Sequence, residues 1–301
     1  MSNDASVQFT NDGSALLAAT GNRLNSWAAP EFKMPKKSAF PGGRVQFLSD
    51  EQGFAIVAIK ENSRTSYQAA LFDLENGIVW DTLQLPMEYP KLASINPTRT
   101  TIAAFGGDGL QFISFPDGKI IRSTPAHTGH IEDSQFSGLQ FIQNDKLLLT
   151  SGRDGTLCEW NGSTGELIRT YTGSGKNKSI ESFCVSPDES IVAISFSHAI
   201  MLLDSTSWSG VLTIPRKNRV HWSSMAISSD NRLLAFATTH SNDTHVYNIE
   251  SCNIDLTLRG HTSGIASVCF SPNGQFLATT SHDDTLKVWK LPTLAKRICR
   301  K

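Results

Sequence analysis

The sequence predicts an all-β fold, a seven-bladed β-propeller with four antiparallel strands in each blade. The first observation is an internal repeat, because the segment 150–160 returns as the segment 279–289, which is 129 residues or three steps of 43 later. The second is a turn signature that recurs seven times. The third is apolar alternation on both sides of each turn, which indicates strands rather than helices. A period in this range, made of short strands, is typical of propeller blades.

The recurring turn joins the first two strands of each unit and is rich in Ser, Pro, Asp, Asn and Gly. Its seven occurrences are 10–13, 49–53, 96–97, 143–145, 186–188, 228–230 and 271–274. Successive occurrences are 39, 47, 47, 43, 42 and 43 residues apart, so the period persists where the residues differ. The third strand of each unit is predicted to end near a large residue: Trp27, Phe72, Ile113, Trp160, Leu203, Tyr247 and Trp289.

We predict a single domain over residues 1–301, because a closed ring of repeats can use the whole chain. The predicted blades are approximately 1–38, 39–87, 88–127, 128–172, 173–217, 218–259 and 260–301. The chain starts at an inner strand, so Leu294 to Cys299 would supply the outer strand of the last blade. Blades one and seven would then meet by face packing without a shared sheet. A missing upstream segment, or a partner at this seam, is the alternative.

Composition narrows the classes of function. The chain has 39% hydrophobic and 18% charged residues, and its net charge of -1 gives no global field for nucleic acid or membrane. The five cysteines form no Cys-x-x-Cys pair, so buried, reduced thiols are expected rather than a zinc site or disulfides. The sequence shows no signal-like start and no long apolar run, which predicts a cytoplasmic or nuclear protein without a transmembrane segment. No metal and no cofactor are expected.

Units four and seven carry a further motif. In unit four a Gly-His pair precedes Trp160 by 30 residues, in unit seven another precedes Trp289 by 28, and an aspartate lies in each intervening hairpin. These motifs resemble the WD-repeat family. The resemblance implies a hydrogen-bonded chain within each blade, which fixes the blade geometry and is structural, not catalytic. Its members would be His130, Thr150, Asp154 and Trp160 in unit four, and His261, Thr279, Asp283 and Trp289 in unit seven.

Motifs of catalysis are missing from the sequence. It has no Gly-x-Ser-x-Gly, no His-Glu-x-x-His and no Gly-x-Gly-x-x-Gly before a helix, so we predict that the protein is not an enzyme. WD-repeat proteins generally act as scaffolds or recognition subunits. The resemblance therefore implies a recognition subunit or scaffold of a multiprotein complex, which binds a peptide or protein on its loop face. We expect a monomeric module within that complex.

Basic residues recur in the hairpins between the second and third strands, at steps of 45, 42 and 42 residues: Arg153, His198, His240 and His282. Equivalent positions of successive blades are neighbours around a ring, so an anion-accepting or pH-sensitive patch is one interpretation. Solvated loop residues are the alternative, and a three-histidine metal site is disfavoured by the distance between blades. Further contact candidates on this face are Arg219, His221 and Trp222. Trp222 is interpreted as an interface anchor or as an indole packed between blades.

Basic residues also cluster where the first and last units would meet. The predicted basic rim consists of Lys33, Lys36, Lys37, Lys296, Arg297, Arg300 and Lys301. It predicts an alternative function, the peripheral binding of an anionic surface such as phospholipid or nucleic acid. Charge that keeps edge strands from pairing with other chains is the other interpretation. The sequence lacks the Phe-Arg-Arg-Gly motif of phosphoinositide-binding propellers and carries no strong nucleic-acid signal.

Overall fold

The protein is described by a computed structural model that covers residues 6–20, 23–33, 36–39, 45–47, 52–61, 64–73, 78–87, 90–106, 109–127, 136–143, 145–173, 179–215, 222–238 and 242–292. These residues form seven antiparallel sheets and contain no helix. The predicted fold class, a seven-bladed all-β propeller, is confirmed. The chain divides into two compact units, one made of 1–19, 25–36 and 181–301, the other of 20–24 and 37–180.

The first unit carries nearly all of blades one, five, six and seven. Blade one consists of β1 (Ser6–Phe9), β2 (Ala15–Thr20), β3 (Arg23–Ala28) and β4 (Lys36–Ala39). Blade five consists of β17 (Ile180–Val185), β18 (Ile191–Phe196), β19 (Ala199–Asp204) and β20 (Gly210–Pro215). Blade six consists of β21 (Trp222–Ile227), β22 (Leu233–Thr238), β23 (Thr244–Asn248) and β24 (Asn253–Leu258). Blade seven consists of β25 (Ile265–Phe270), β26 (Phe276–Ser281) and β27 (Leu286–Lys290).

The second unit carries blades two, three and four. Blade two consists of β5 (Val45–Phe47), β6 (Gln52–Glu61), β7 (Arg64–Asp73) and β8 (Val79–Gln84). Blade three consists of β9 (Leu92–Ile95), β10 (Thr101–Gly106), β11 (Gly109–Ser114) and β12 (Ile120–Thr124). Blade four consists of β13 (Phe136–Ile142), β14 (Leu147–Gly152), β15 (Thr156–Asn161) and β16 (Leu167–Thr172).

The large residues predicted at the ends of the third strands lie one residue before the strand end in all seven blades. Side chains alternate across each strand, so both faces of a blade pack against neighbours. In β11, for example, Ile113 packs with Leu71 of blade two, whereas the adjacent Phe112 packs with Leu148 of blade four. This two-sided burial explains why these strands are rich in apolar residues and show little clean alternation.

Blades one and seven, both in the first unit, pack face to face. Val7 and Phe9 of β1 form an apolar cluster with Ala278 of β26. In the described residues β1 pairs only with β2, and blade seven contains no strand of blade one. The outer strand predicted for blade seven, Leu294 to Cys299, lies outside the described residues.

The turn between the third and fourth strands holds one left-handed residue in several blades. In blades three and four this residue is glycine, Gly118 (φ 73°) and Gly165 (φ 68°). In blades one and five the same turn holds Phe32 (φ 47°) and Trp208 (φ 55°). In all four turns this residue's N–H donates to the carbonyl four residues earlier. Large side chains therefore occupy positions where the backbone favours glycine, and Trp208 is buried there.

Candidate functional site

Blade seven brings four polar side chains together at the entrance to its hairpin, two of them buried and two half-buried. His261 lies 2.8 Å from Thr279 Oγ1 through Nε2 and 2.9 Å from Asp283 Oδ2 through Nδ1. Trp289 Nε1–H donates to the same Thr279 hydroxyl at 2.9 Å. Thr285, which the sequence did not single out, donates its hydroxyl to Asp283 at 2.6 Å. The four predicted residues are thus one connected chain.

The partners in this hydrogen-bonded chain determine which atom of each pair is the donor. Asp283 is an acceptor, so the Nδ1 of His261 carries the proton and donates it. The Nε2 is then an acceptor and receives the Thr279 hydroxyl, whose oxygen accepts the indole N–H of Trp289. Asp283 also accepts the backbone N–H groups of Thr262 and Thr285. Each member of the chain is therefore held by at least one hydrogen bond within the blade, which stabilises the blade geometry.

Blade four holds an equivalent chain, with a correction to the predicted histidine. The imidazole that contacts Thr150 Oγ1, at 2.9 Å, belongs to His127 and not to His130. Its Nδ1 lies 3.2 Å from Asp154 Oδ1, and Trp160 Nε1–H donates to Thr150 at 2.8 Å. His130 itself lies outside the described residues.

The wrong assignment follows from the separation along the chain between the histidine and the first strand of its blade. His261 stands four residues before its first strand, whereas His127 stands nine residues before β13. The Gly-His spacing therefore indicated the residue that best matched the shorter separation. Gly152 leaves room for the His127 ring, because a Cβ there would lie 2.5 Å from His127 Nδ1. The shared Asp-x-Thr pattern that ends at Thr156 and Thr285 was an unused sequence signal for the threonines that bond these aspartates.

Hydrogen bonds hold the two hairpin aspartates in their ionised form. Burial opposes ionisation of Asp283, but bonds from Thr285, the Thr262 N–H and His261 outweigh it and lower its pKa below the ordinary 3.8. Burial likewise opposes ionisation of Asp154, and bonds from His127 and Thr156 lower its pKa. Both carboxylates are therefore more acidic in the folded than in the unfolded chain, which links them to stability.

Acid should remove the stabilisation that Asp283 contributes. Because its folded pKa lies below its unfolded value, this contribution is complete above about pH 4 and declines as the pH falls towards the folded pKa. We expect the loss of stability in Asp283→Asn, measured by urea unfolding, to be constant between about pH 7 and 5 and smaller at about pH 3. Asp284→Asn, at the exposed neighbouring position, is the control. An undiminished difference at about pH 3 would contradict the linkage.

Three of the predicted contact residues lie in described hairpins between second and third strands. Arg153, His198 and His282 are exposed, each in the hairpin that follows the second strand of its blade. The ring of His198 lies 6.0 Å from that of the buried Phe196, and the N–H of His282 donates to Gly264 O at 2.9 Å. His240, Arg219 and His221 lie outside the described residues. Trp222 is described by its backbone only and begins β21, as Ile265 begins β25.

The basic rim is described only in part. Lys36 and Lys37 are exposed on β4, the outer strand of blade one. Lys33 is exposed and lies 3.0 Å from Glu31, so its charge is partly neutralised. Lys296, Arg297, Arg300 and Lys301 lie outside the described residues.

Two inner-strand cysteines should resist alkylation in the folded protein. Burial raises the pKa of Cys184 and of Cys269 to about 12, so the thiolate is scarce at neutral pH. We expect site-resolved mass spectrometry after a short iodoacetamide pulse to find both thiols unmodified in buffer and modified in urea. Rapid native modification of either thiol would contradict its raised pKa.

Two features, a metal-binding cluster and a membrane-spanning helix, are absent from the part of the chain that the structure describes. No group of three or more His, Cys, Asp or Glu side chains there is placed to hold a metal ion. Across the same residues, no helix has the length and apolar character needed to span a membrane.

Comparison with known proteins agrees with the geometry of blades four and seven. Residues 118–161 and 253–290 match the family model described as WD domain, G-beta repeat. The matches include β15 and β27, the strands that carry Trp160 and Trp289. The resemblance to the WD-repeat family is confirmed.

Several curated proteins are similar to parts of the chain. Periodic tryptophan protein 2 homolog of Dictyostelium discoideum is 23% identical over 152 residues, 50% of this chain and 16% of that protein. Transcriptional corepressor LEUNIG_HOMOLOG of Arabidopsis thaliana is 27% identical over 193 residues, 63% of this chain and 23% of that protein. Pre-mRNA-processing factor 19 homolog 2 of Arabidopsis thaliana is 24% identical over 198 residues, 64% of this chain and 36% of that protein. The matched part is thus a minor part of each relative.

Proposed function

We propose that the protein is a non-catalytic recognition subunit, which binds a peptide or protein segment on the face formed by the hairpins between second and third strands. The candidate contact residues are Arg153, His198, His240, His282, Arg219, His221 and Trp222. A general role in protein interaction fits the WD-repeat fold and the relatives, one of which is named as a corepressor and another as a pre-mRNA-processing factor. These names favour a nuclear or cytoplasmic setting.

One observation supports the choice of face: in two hairpins an exposed basic or ionisable side chain directly precedes an aspartate whose carboxylate is held by hydrogen bonds. Arg153 precedes Asp154, whose carboxylate is held by His127 and Thr156. His282 precedes Asp283, which is held in the same manner in blade seven. The hairpins are therefore ordered before a partner arrives, so little loop entropy is lost on binding. A rigid hairpin that presents a basic or ionisable side chain is suited to an acidic or carboxylate-bearing segment.

The test compares two triple variants in quantitative affinity capture from lysate. The first carries Arg153→Ala, His198→Ala and His282→Ala on the hairpin face. The matched control carries Asn11→Ala, Asp117→Ala and Ser163→Ala, three exposed residues in the turns at the other ends of the strands. Both sets replace exposed side chains, so both variants should unfold at the wild-type temperature.

We expect the hairpin variant to lose a defined set of proteins that the wild type and the control retain. Each captured protein is then tested in direct binding with purified components, where at least a tenfold loss of affinity is expected for the hairpin variant. Equal capture by both triple variants would overturn the choice of face. Capture of no specific protein by the wild type would overturn the proposed function.

The basic rim supports a second candidate function, the binding of an anionic surface. Lys36 and Lys37 stand exposed and adjacent on one outer strand, which places two positive charges at an edge. Co-sedimentation with vesicles of about 30% phosphatidylserine tests it, because electrostatic binding declines steeply with salt. A double variant with Lys36→Ala and Lys37→Ala should then lose binding. Retained binding would exclude Lys36 and Lys37 as the contact.

A further inference from the structure

The outer strand of blade four, β16 (Leu167–Thr172), differs from the other described outer strands. Exposed edge strands are ordinarily protected by charged side chains, Pro, bulges or a cover. The other outer strands in the described residues carry or adjoin a charge or a proline: Lys36 and Lys37 in β4, Asp81 in β8, Pro125 after β12, Pro215 in β20, and Asp255 in β24. The sequence of β16 is Leu-Ile-Arg-Thr-Tyr-Thr, with Leu167 53% and Ile168 51% exposed.

The single charge of β16 is neutralised within its own blade. Arg169 donates from Nη2 to Glu159 Oε2 at 2.8 Å and from Nε at 3.0 Å, and Glu159 is buried. Just before the strand, Glu166 pairs with Arg122 of blade three at 3.5 Å. Neither charge is therefore available to repel an approaching strand.

At the outer edge of β16 the backbone groups point away from the sheet at alternate residues. Among the described residues, the sheet order gives β16 one neighbouring strand, β15. Gly173 N–H donates to Gly155 O at 2.9 Å, and the register pairs Tyr171 with Leu157. Antiparallel pairing alternates, so the N–H and C=O groups of Thr170 and Thr172 face away from β15.

We infer that β16 pairs with β16 of a second copy of this chain, antiparallel about a two-fold axis at Thr170. In this register the two Thr170 residues exchange backbone hydrogen bonds, and Ile168 of each copy stands opposite Thr172 of the other. Arg169 stands opposite Tyr171, where the guanidinium keeps its bonds to Glu159 and packs on the aromatic ring, and this pair occurs twice. No like charges oppose each other, and Thr–Thr and aliphatic–Thr pairs suit a strand edge.

This inference goes beyond the proposed function and departs from the monomer expected from the sequence. A contact of one strand pair is small, so the dimer should dissociate on dilution. Sedimentation velocity between about 1 µM and about 1 mM should show a monomer that becomes a dimer as the concentration rises.

The two-fold axis gives a specific test, because residue 170 opposes itself. Thr170→Lys and Thr170→Glu place like charges face to face, so each variant should dimerise at least about tenfold more weakly than the wild type. An equimolar mixture of the two variants places Lys against Glu and should restore the dimer. Ser123→Lys, an exposed residue on the outer strand of blade three, is the matched control and should dimerise like the wild type.

Circular dichroism and thermal unfolding verify that all variants fold. Three results would each overturn the inference: a wild type that remains monomeric throughout the range, a Thr170→Lys variant that dimerises like the wild type, or a mixture that stays monomeric. The mixing result separates strand pairing from a change in stability, since destabilised variants would not recover on mixing.

Discussion

Replacing Thr279 with valine should lower the free energy of unfolding by about 2 to 3 kcal/mol, although the side chain keeps its size. Thr279 is fully buried, and its hydroxyl oxygen bonds both to His261 and to Trp289. Valine leaves the indole N–H and the imidazole nitrogen without a partner beside a fully buried position. Each unsatisfied buried group costs about 1 to 3 kcal/mol.

The next residue along the strand provides a matched control. Thr280 is also buried, yet its hydroxyl has no hydrogen-bond partner among the described residues. Thr280→Val should therefore leave the free energy of unfolding unchanged or raise it slightly, because no bond is lost and the methyl group is apolar. Chemical denaturation of both variants decides the matter. Equal losses for the two variants would show that the network contributes nothing beyond local packing.

The same position shows why the family motif fades while the fold persists. In blade six the residue equivalent to Thr279 is Phe236, and in blade five it is Ile194, both fully or almost fully buried. Replacing both partners of a buried hydrogen bond by apolar groups can be nearly neutral. Blades five and six therefore keep their packing without a threonine at this position, which explains why period and turn position predicted blades that the motif alone did not.

Other features were beyond prediction because they depend on space and not on sequence pattern. The choice of His127 over His130 depends on a longer separation from the first strand and on the room beside Gly152. Turn position predicted the strands well, since Ser, Asp and Asn side chains fix each turn locally. For example, bonds from the Ser186 hydroxyl and the Ser190 N–H lower the pKa of Asp188 to about 2. No comparable local pattern predicts the arrangement of the hairpins between second and third strands, so the contact residues on them remain a proposal.

The large residues in left-handed turn positions were also unpredicted, because glycine is the residue that this backbone favours. At Phe32 the large side chain contributes aromatic packing that glycine could not provide. Its ring packs edge-on against Phe9 of blade one, at 6.1 Å between centroids, and against Phe276 of blade seven, at 5.4 Å. The side chain thus joins two blades whose described strands share no sheet.

Phe32→Ala should consequently lower the free energy of unfolding by about 2 to 3 kcal/mol, since a half-buried aromatic contact across the two blades is lost. Phe32→Gly removes the same ring but relieves the left-handed backbone at φ 47°, so it should be about 1 kcal/mol more stable than Phe32→Ala. The free energy of unfolding should therefore decrease in the order wild type, Phe32→Gly, Phe32→Ala. This order is expected when the backbone at residue 32 is strained but its ring contributes packing.

Urea unfolding of the three proteins measures this order, and hydrogen exchange of β1 and β26 reports whether both blades loosen together. Two results would contradict the interpretation. If alanine were as stable as glycine, the backbone would carry no strain at this turn. If both variants matched the wild type, packing of the aromatic ring would not hold blades one and seven together, and the apolar cluster around Val7 and Ala278 would have to suffice.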